Sequence, residues 1–189
     1  MDQTRPALRV DVRRPQRADA RRNFDALLAA ARDAFAAKGV EASLEEIARQ
    51  AGVGIGTLYR NFPTRQDLLN AVYLGEIEEL CIAADEVADL PPWEALTTWL
   101  RRFVQYAATK RAIYESLNRE SESFQLAREA MYAAGTPLFE QAQKSGDARS
   151  DVTFDDVLRM VSGLTAAGYV DEAQRDRVLA IALDGIRTR

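Results

Sequence analysis

Histidine is absent from this chain of 189 residues, and cysteine occurs once, at Cys81. The first absence removes the commonest general base, the histidine of a hydrolase triad and the favoured metal ligand together. The second excludes an internal disulfide and any cysteine cluster that could hold a metal. No catalytic residues, metal ligands or cofactor are therefore expected. Glycine (10) and proline (6) are sparse while apolar residues make up 47% of the chain, a globular composition with little room for long irregular segments. No apolar run approaches the roughly 18 residues a membrane span needs, and the charged N-terminus lacks a leader's apolar stretch, so a cytoplasmic protein is expected. Sustained alternation of β-branched residues is missing too, which argues against a sheet.

What is present is helical periodicity and an uneven distribution of charge. Residues 1–75 carry 12 basic against 9 acidic side chains, and the remainder carries 13 against 20. The excess is concentrated at the start, where Arg5, Arg9, Arg13, Arg14, Arg17, Arg21 and Arg22 face only Asp2, Asp11 and Asp19. A basic end on an acidic protein points to a polyanion at that end, although residues 1–18 taken alone read as a solvated, disordered arm. Phe24, Leu27, Leu28, Ala31 and Phe35 recur at helical spacing before a stop at Gly39. Ser43 and Glu46 form a capping-box pattern ahead of Leu44, Ile47, Ala48 and Ala51. A short helix is expected at about 54–61, ended by Pro63. A long one follows from Thr64 with buried positions through Val87, and Pro91 and Pro92 close it. Further helices are read at 93–110, 111–120, 124–144, 154–167 and 171–187, with "KSGDARSD" (144–151) as the extended loop.

The stretch "AGVGIGTLYRNF", residues 51–62, places glycines at 52, 54 and 56. A dinucleotide loop would need G-x-G-x-x-G after a strand, and a phosphate loop would need a lysine followed by Ser or Thr after its last glycine. Here amphipathic helix precedes the glycines and Thr57 follows them. A helix-turn-helix accounts for the pattern better, because two short helices crossing at a sharp turn need small residues. Gly52 is placed for the left-handed conformation that ends the first helix, and Val53 is expected in the turn's core. Leu58 and Phe62 are expected to face Ile47 and the first helix, leaving Gly56, Thr57, Tyr59 and Arg60 on the opposite face. Gly54 and Gly56 would let the backbone approach a groove wall closely.

The segments "LLAAARDAFAAKGV", "SLEEIARQAGV", "GTLYRNF" and "TRQDLL" resemble the DNA-binding domain of TetR family transcriptional repressors over about residues 19–75. The resemblance implies an all-α fold. An N-terminal three-helix bundle carrying the helix-turn-helix (19–66) would be joined by a long helix to a C-terminal helical ligand-binding and dimerisation domain (67–189). It also implies a homodimer that binds double-stranded DNA at a pseudo-palindromic operator and is released by a small-molecule effector. By position, Ser43 and Thr64 match capping residues that touch phosphate. Thr57 and Tyr59 match recognition-helix contacts, and Arg65 matches a basic residue that grips the DNA backbone. Arg21 and Arg22 begin the helix whose start approaches phosphate in that family. Many members carry serine and then a polar or basic residue where this chain has Gly54 and Ile55, so the candidates for specificity are direct base contact by Arg60 and readout that rests partly on DNA shape. The arm is a candidate for minor-groove contact.

The C-terminal half offers candidates for two jobs. Val157, Leu158, Val161 and Leu164, with Val178, Leu179, Ile181, Ala182, Gly185 and Ile186, form apolar stripes suited to a four-helix dimer interface. Gly163 and Gly185 are read as allowing close helix approach. An ordinary intramolecular core is the alternative for the same stripes. Trp99, Phe103, Tyr106, Tyr114, Phe124, Met131, Tyr132 and Met160 are candidates to line a cavity for an apolar or aromatic ligand. A helical enzyme working with carboxylates alone, or an interaction module whose helix-turn-helix no longer reads DNA, are the competing classes.

Overall fold

The computed structural model describes residues 14–188. The read arm over 1–18 therefore lies largely outside the described residues, and Arg5, Arg9 and Arg13 lie wholly outside them. Among the described residues the elements are α1 (Ala18–Lys38), α2 (Leu44–Gln50), α3 (Ile55–Asn61), α4 (Arg65–Glu86), α5 (Pro92–Ile113), α6 (Glu122–Lys144), α7 (Phe154–Leu164) and α8 (Glu172–Ile186). Single 3-10 turns follow α1 (Gly39–Glu41) and α5 (Tyr114–Ser116), and no strand longer than one isolated bridge occurs among these residues. The all-α expectation holds.

Local chemistry explains most of the boundaries. Gly39 (φ 66°) ends α1 and returns its N–H to the Phe35 carbonyl. Proline at the first position opens α5, where its missing N–H is harmless. Thr153 and Asp156 close a capping box on α7, and Asp171 caps α8 by accepting from the Gln174 N–H at 2.7 Å. One expected element is corrected. Residues 111–120 do not form a helix of their own: α5 runs on to Ile113, one 3-10 turn follows, and Ser121 then accepts from the Phe124 N–H to start α6. With neither Gly nor Pro between Lys110 and Ile113, nothing stops α5 at Lys110.

The chain divides into two compact units, the first holding the described residues up to Glu79 with Glu115–Met131, the second Leu80–Tyr114 with residues from Tyr132 onward. The three boundaries fall inside α4, the 3-10 turn after α5 and α6, so these are units of packing. In the first, α2 packs on α1 and α3 on α2. Leu27, Phe35, Ile47, Leu58 and Leu68 are completely buried, and the Phe24 and Phe62 rings lie 4.9 Å apart. Burial of each such side chain is worth about 1.5–3 kcal/mol. Arg14 ties this unit together, donating to Asp25 on α1 at 2.8 Å and Glu78 on α4 at 2.5 Å. Burial opposes its charge, but the bonds to Asp25 and Glu78 outweigh that and raise the guanidinium above its ordinary pKa. In the same unit Phe124 stacks on Tyr73 at 4.7 Å.

The second unit is built around aromatic rings. Trp99 is completely buried, donates its indole N–H to the Leu80 carbonyl at 2.9 Å, and lies 5.7 Å from Phe103 and 5.8 Å from Phe154. A Cβ built on Gly135 would fall 2.4 Å from Phe154 Cζ and 2.7 Å from Trp99 Cη2, so only glycine fits there. The loop between α6 and α7 pairs with the end of the chain: Arg149 N–H donates to the Ile186 carbonyl and Thr188 N–H to the Asp147 carbonyl, both at 2.9 Å.

Candidate nucleic-acid interface

The turn between α2 and α3 is made by Gly52 at φ 70°, the left-handed conformation that its position predicts. Val53, half-buried, returns its N–H to the Ala48 carbonyl at 3.0 Å and locks the crossing. Leu58 (0% exposed) and Phe62 (3%) hold α3 against the core, so rotation of the helix is fixed by packing. That rotation leaves Ile55 (37% exposed) and Tyr59 (46%) on the outside, four residues apart on one stripe. A Cβ placed on Gly54 or Gly56 would meet nothing within 4 Å, so the backbone beside Ile55 is open.

The polar candidates are more committed to the protein's own structure than residue type alone indicates. Arg60 folds back along α3, donating to Thr57 Oγ1 at 2.9 Å and to the Gly56 carbonyl at 3.3 Å. Thr57 is half-buried, and its carbonyl accepts from Asn61. Ser43 caps α2, its hydroxyl accepting from the Glu46 N–H at 3.2 Å and donating to Glu45. The reciprocal half of the expected capping box is not formed there, because the Glu46 carboxylate bonds Lys38 at 3.0 Å instead. That bond to Lys38 holds the Glu46 carboxyl below the ordinary glutamate range. Glu45 is also lowered, by its backbone hydrogen bond and then by the Ser43 hydroxyl.

At the start of α4 the box is complete: Thr64 N–H donates to Asp67 Oδ2 at 2.9 Å, and Asp67 N–H donates to Thr64 Oγ1 at 3.1 Å. Thr64's N–H is thereby engaged within the chain. Arg65 is half-buried and its Nη1 donates to the Val40 and Ala42 carbonyls at 2.7 and 2.6 Å, binding the start of α4 to the α1–α2 connection. Arg21 is exposed on α1, and Arg22 beside it pairs with Asp19. Residue-type reasoning missed the outward Ile55, and the signal for it was available in the four-residue spacing to Tyr59. No local pattern announces the reach of Arg65 across more than twenty residues.

The C-terminal candidates divide. Val157 and Val161 are buried within the single chain (1% and 0% exposed), so they are corrected from interface to protomer core: no surface of theirs remains to meet a partner. Ile181 is 70% exposed, Gly185 is exposed, and Leu164, Val178 and Ala182 are half-buried. Gly163 and Gly185 stand in open space within the chain, and the close approach is at Gly135. Among the cavity candidates, Trp99, Phe103 and Tyr106 are buried in ring-on-ring packing, and Tyr106 and Tyr114 both lie beneath Lys110. Phe124 and Met131 belong to the first unit and Met160 to the second.

An all-helical chain whose two short helices cross at a left-handed glycine, with one face packed and the other open, belongs to the class of helix-turn-helix DNA-binding regulators. Residues 27–72 match the bacterial regulatory proteins of the tetR family, and residues 91–188 match the C-terminal domain of SbtR-like transcriptional regulators. A TetR transcriptional regulator from Streptomyces coelicolor is 40% identical over 87% of this chain and 98% of its own, with a TM-score of 0.75. A TetR transcription regulatory protein from Mycobacterium vanbaalenii is 34% identical over 92% and 100%, with a TM-score of 0.70. The chain is also similar to an HTH-type transcriptional activator, FasR, from Mycolicibacterium smegmatis: it is 28% identical over 85% of its length and spans 66% of that relative. The protein is a member of the TetR family, a DNA-binding transcriptional regulator. No described helix is long and apolar enough to cross a membrane.

Proposed function

We propose that the protein binds a pseudo-palindromic operator as a homodimer, represses transcription from it in the cytoplasm, and is released when a small apolar or aromatic molecule binds the C-terminal part. Residues 19–66 form the DNA-reading domain in this reading and residues 67–189 the effector and dimerisation domain. The observation that carries it is the outward face of α3, held by the burial of Leu58 and Phe62 and bearing Tyr59 and Ile55 beside unobstructed glycines. Tyr59 and Thr57 contact the major groove. Arg60 reaches a base edge by leaving Thr57, an exchange of one hydrogen bond for another. Ser43, Arg21 and Arg22 supply phosphate contacts, while Thr64 and Arg65 act through position, fixing where α4 begins.

Two half-sites about 34 Å apart require a two-fold protein, and the exposed α8 stripe of Val178, Ile181, Ala182 and Gly185, with Leu164 of α7, supplies the interface. The effector enters among the rings of the second unit, with Trp99, Phe103, Tyr106, Tyr114 and Met160 as its neighbours. Because α4 has residues in both units, a ligand that favours one inclination of α4 changes operator affinity by its differential binding energy.

The test is selection of duplexes from a random library, followed by mobility-shift titration of the enriched sequence with Tyr59→Ala and across salt. A palindromic consensus, a loss of about tenfold or more in the variant and a steep salt slope are expected. An unselective library and an indifferent variant would leave the helix-turn-helix as scaffold. A reporter driven from the same operator decides the sign of regulation, which in the M. smegmatis relative is named as activation.

A further inference from the structure

We infer that Ile55 is a specificity-determining residue which reads the C5-methyl group of a thymine in each operator half-site; this deepens, and rests on, the DNA-binding reading above. The outward stripe of α3 is apolar where base readers are commonly polar. Ile55 keeps 37% of its surface exposed, while Leu58 and Phe62 supply the helix's fully buried contacts. Its neighbours Gly54 and Gly56 carry no side chain and have nothing within 4 Å of where a Cβ would be, which leaves the backbone on either side of Ile55 open. Tyr59, one turn on, continues the stripe with a ring that is 46% exposed.

In the major groove the feature that matches a branched aliphatic side chain is the thymine methyl, which no other base carries there. Guanine and cytosine present acceptors or donors that an isoleucine would desolvate without pairing. The half-site is therefore expected to hold a thymine at the position under Ile55, and the discrimination to be hydrophobic in origin.

The experiment uses the full chain and the enriched duplex. Each thymine is replaced in turn by deoxyuridine, which removes only the methyl, and affinity is read by fluorescence anisotropy at fixed salt. For the natural protein, one thymine per half-site is expected to lower affinity by about fourfold when demethylated, the scale of one buried methyl group. Ile55→Ser is expected to bind more weakly and to be indifferent to that same replacement, while Ile55→Val restores the sensitivity. Circular dichroism of Ile55→Ser should match the parent, since the side chain is outside the core. If the duplex is bound but no deoxyuridine matters, or the same one weakens Ile55→Ser equally, the inference is overturned while the regulator reading stands. If no duplex is enriched, both fall.

Discussion

Gly52 shows how much one dihedral contributes to a DNA-reading motif. Its φ of 70° is in the left-handed region, yet a Cβ there would touch nothing, so Gly52→Ala tests backbone strain separated from steric collision. A destabilisation of about 1–2 kcal/mol is expected in denaturant melts, with Gly52→Asn milder because asparagine tolerates this conformation. Asp156 makes a different residue-scale point. The Thr153 hydroxyl first, and then its N–H, hold the carboxyl below the ordinary aspartate range. A depressed folded-state pKa stabilises above the unfolded value of roughly 3.9 and is lost as pH falls through the folded value. Asp156→Asn should thus be less stable than the parent in urea at pH 7, and the gap should narrow as the pH falls below the ordinary aspartate range. A gap that persists in acid would assign the effect to geometry and not to charge. Position made Gly52 legible, because a helix that ends in a sharp turn commonly needs a left-handed residue there and glycine takes that conformation without strain. The part Arg65 plays in the chain's own packing was not legible, because its carbonyl partners, Val40 and Ala42, lie far off in the sequence.

At the scale of elements, helices with one-sided apolar spacing were readable from α1 to α8, and the errors fell where a boundary depends on what is missing. The end of α5 is such a case. Close packing inside the chain was equally hidden: Gly163 and Gly185 stand open within the protomer, on the side left for the proposed partner, and it is Gly135 of α6 that meets Phe154 and Trp99. These rings are fixed on both sides, by Phe139 against Phe154 and by the indole bond to Leu80, and cannot swing away. Gly135→Ala should cost about 1–3 kcal/mol or more through overpacking, read as a lower melting temperature. A variant as stable as the parent would show that the rings yield. Periodicity cannot announce this, because it reports which face of a helix is apolar and not how near the opposing face comes.

For the whole molecule, the division of the C-terminal stripes between core and surface decides what association can rest on. Val157 and Val161 are interior, whereas Ile181 is exposed. Ile181→Arg is therefore expected to convert the proposed dimer to monomer in light scattering at micromolar concentration, with little change in circular dichroism. A dimer that survives the arginine would move the interface off α8. Periodic sequence cannot separate these residues, since both helices are amphipathic and burial by a partner leaves the same pattern as burial by the chain itself.

The pairing of residues 147–149 with 186–188 has a consequence for motion. Ala148 and Arg187 bridge in antiparallel fashion, and the Arg187 guanidinium lies 5.3 Å over the Trp93 ring. The intervening segment of roughly 40 residues, α7 and α8 included, is thus a closed circuit whose two ends share one clasp. Opening the clasp releases both helices together, so their amides should exchange with solvent as a single cooperative foldon. A subunit that grips α8 thereby immobilises α7 as well, and assembly would be felt throughout the circuit as protection from exchange.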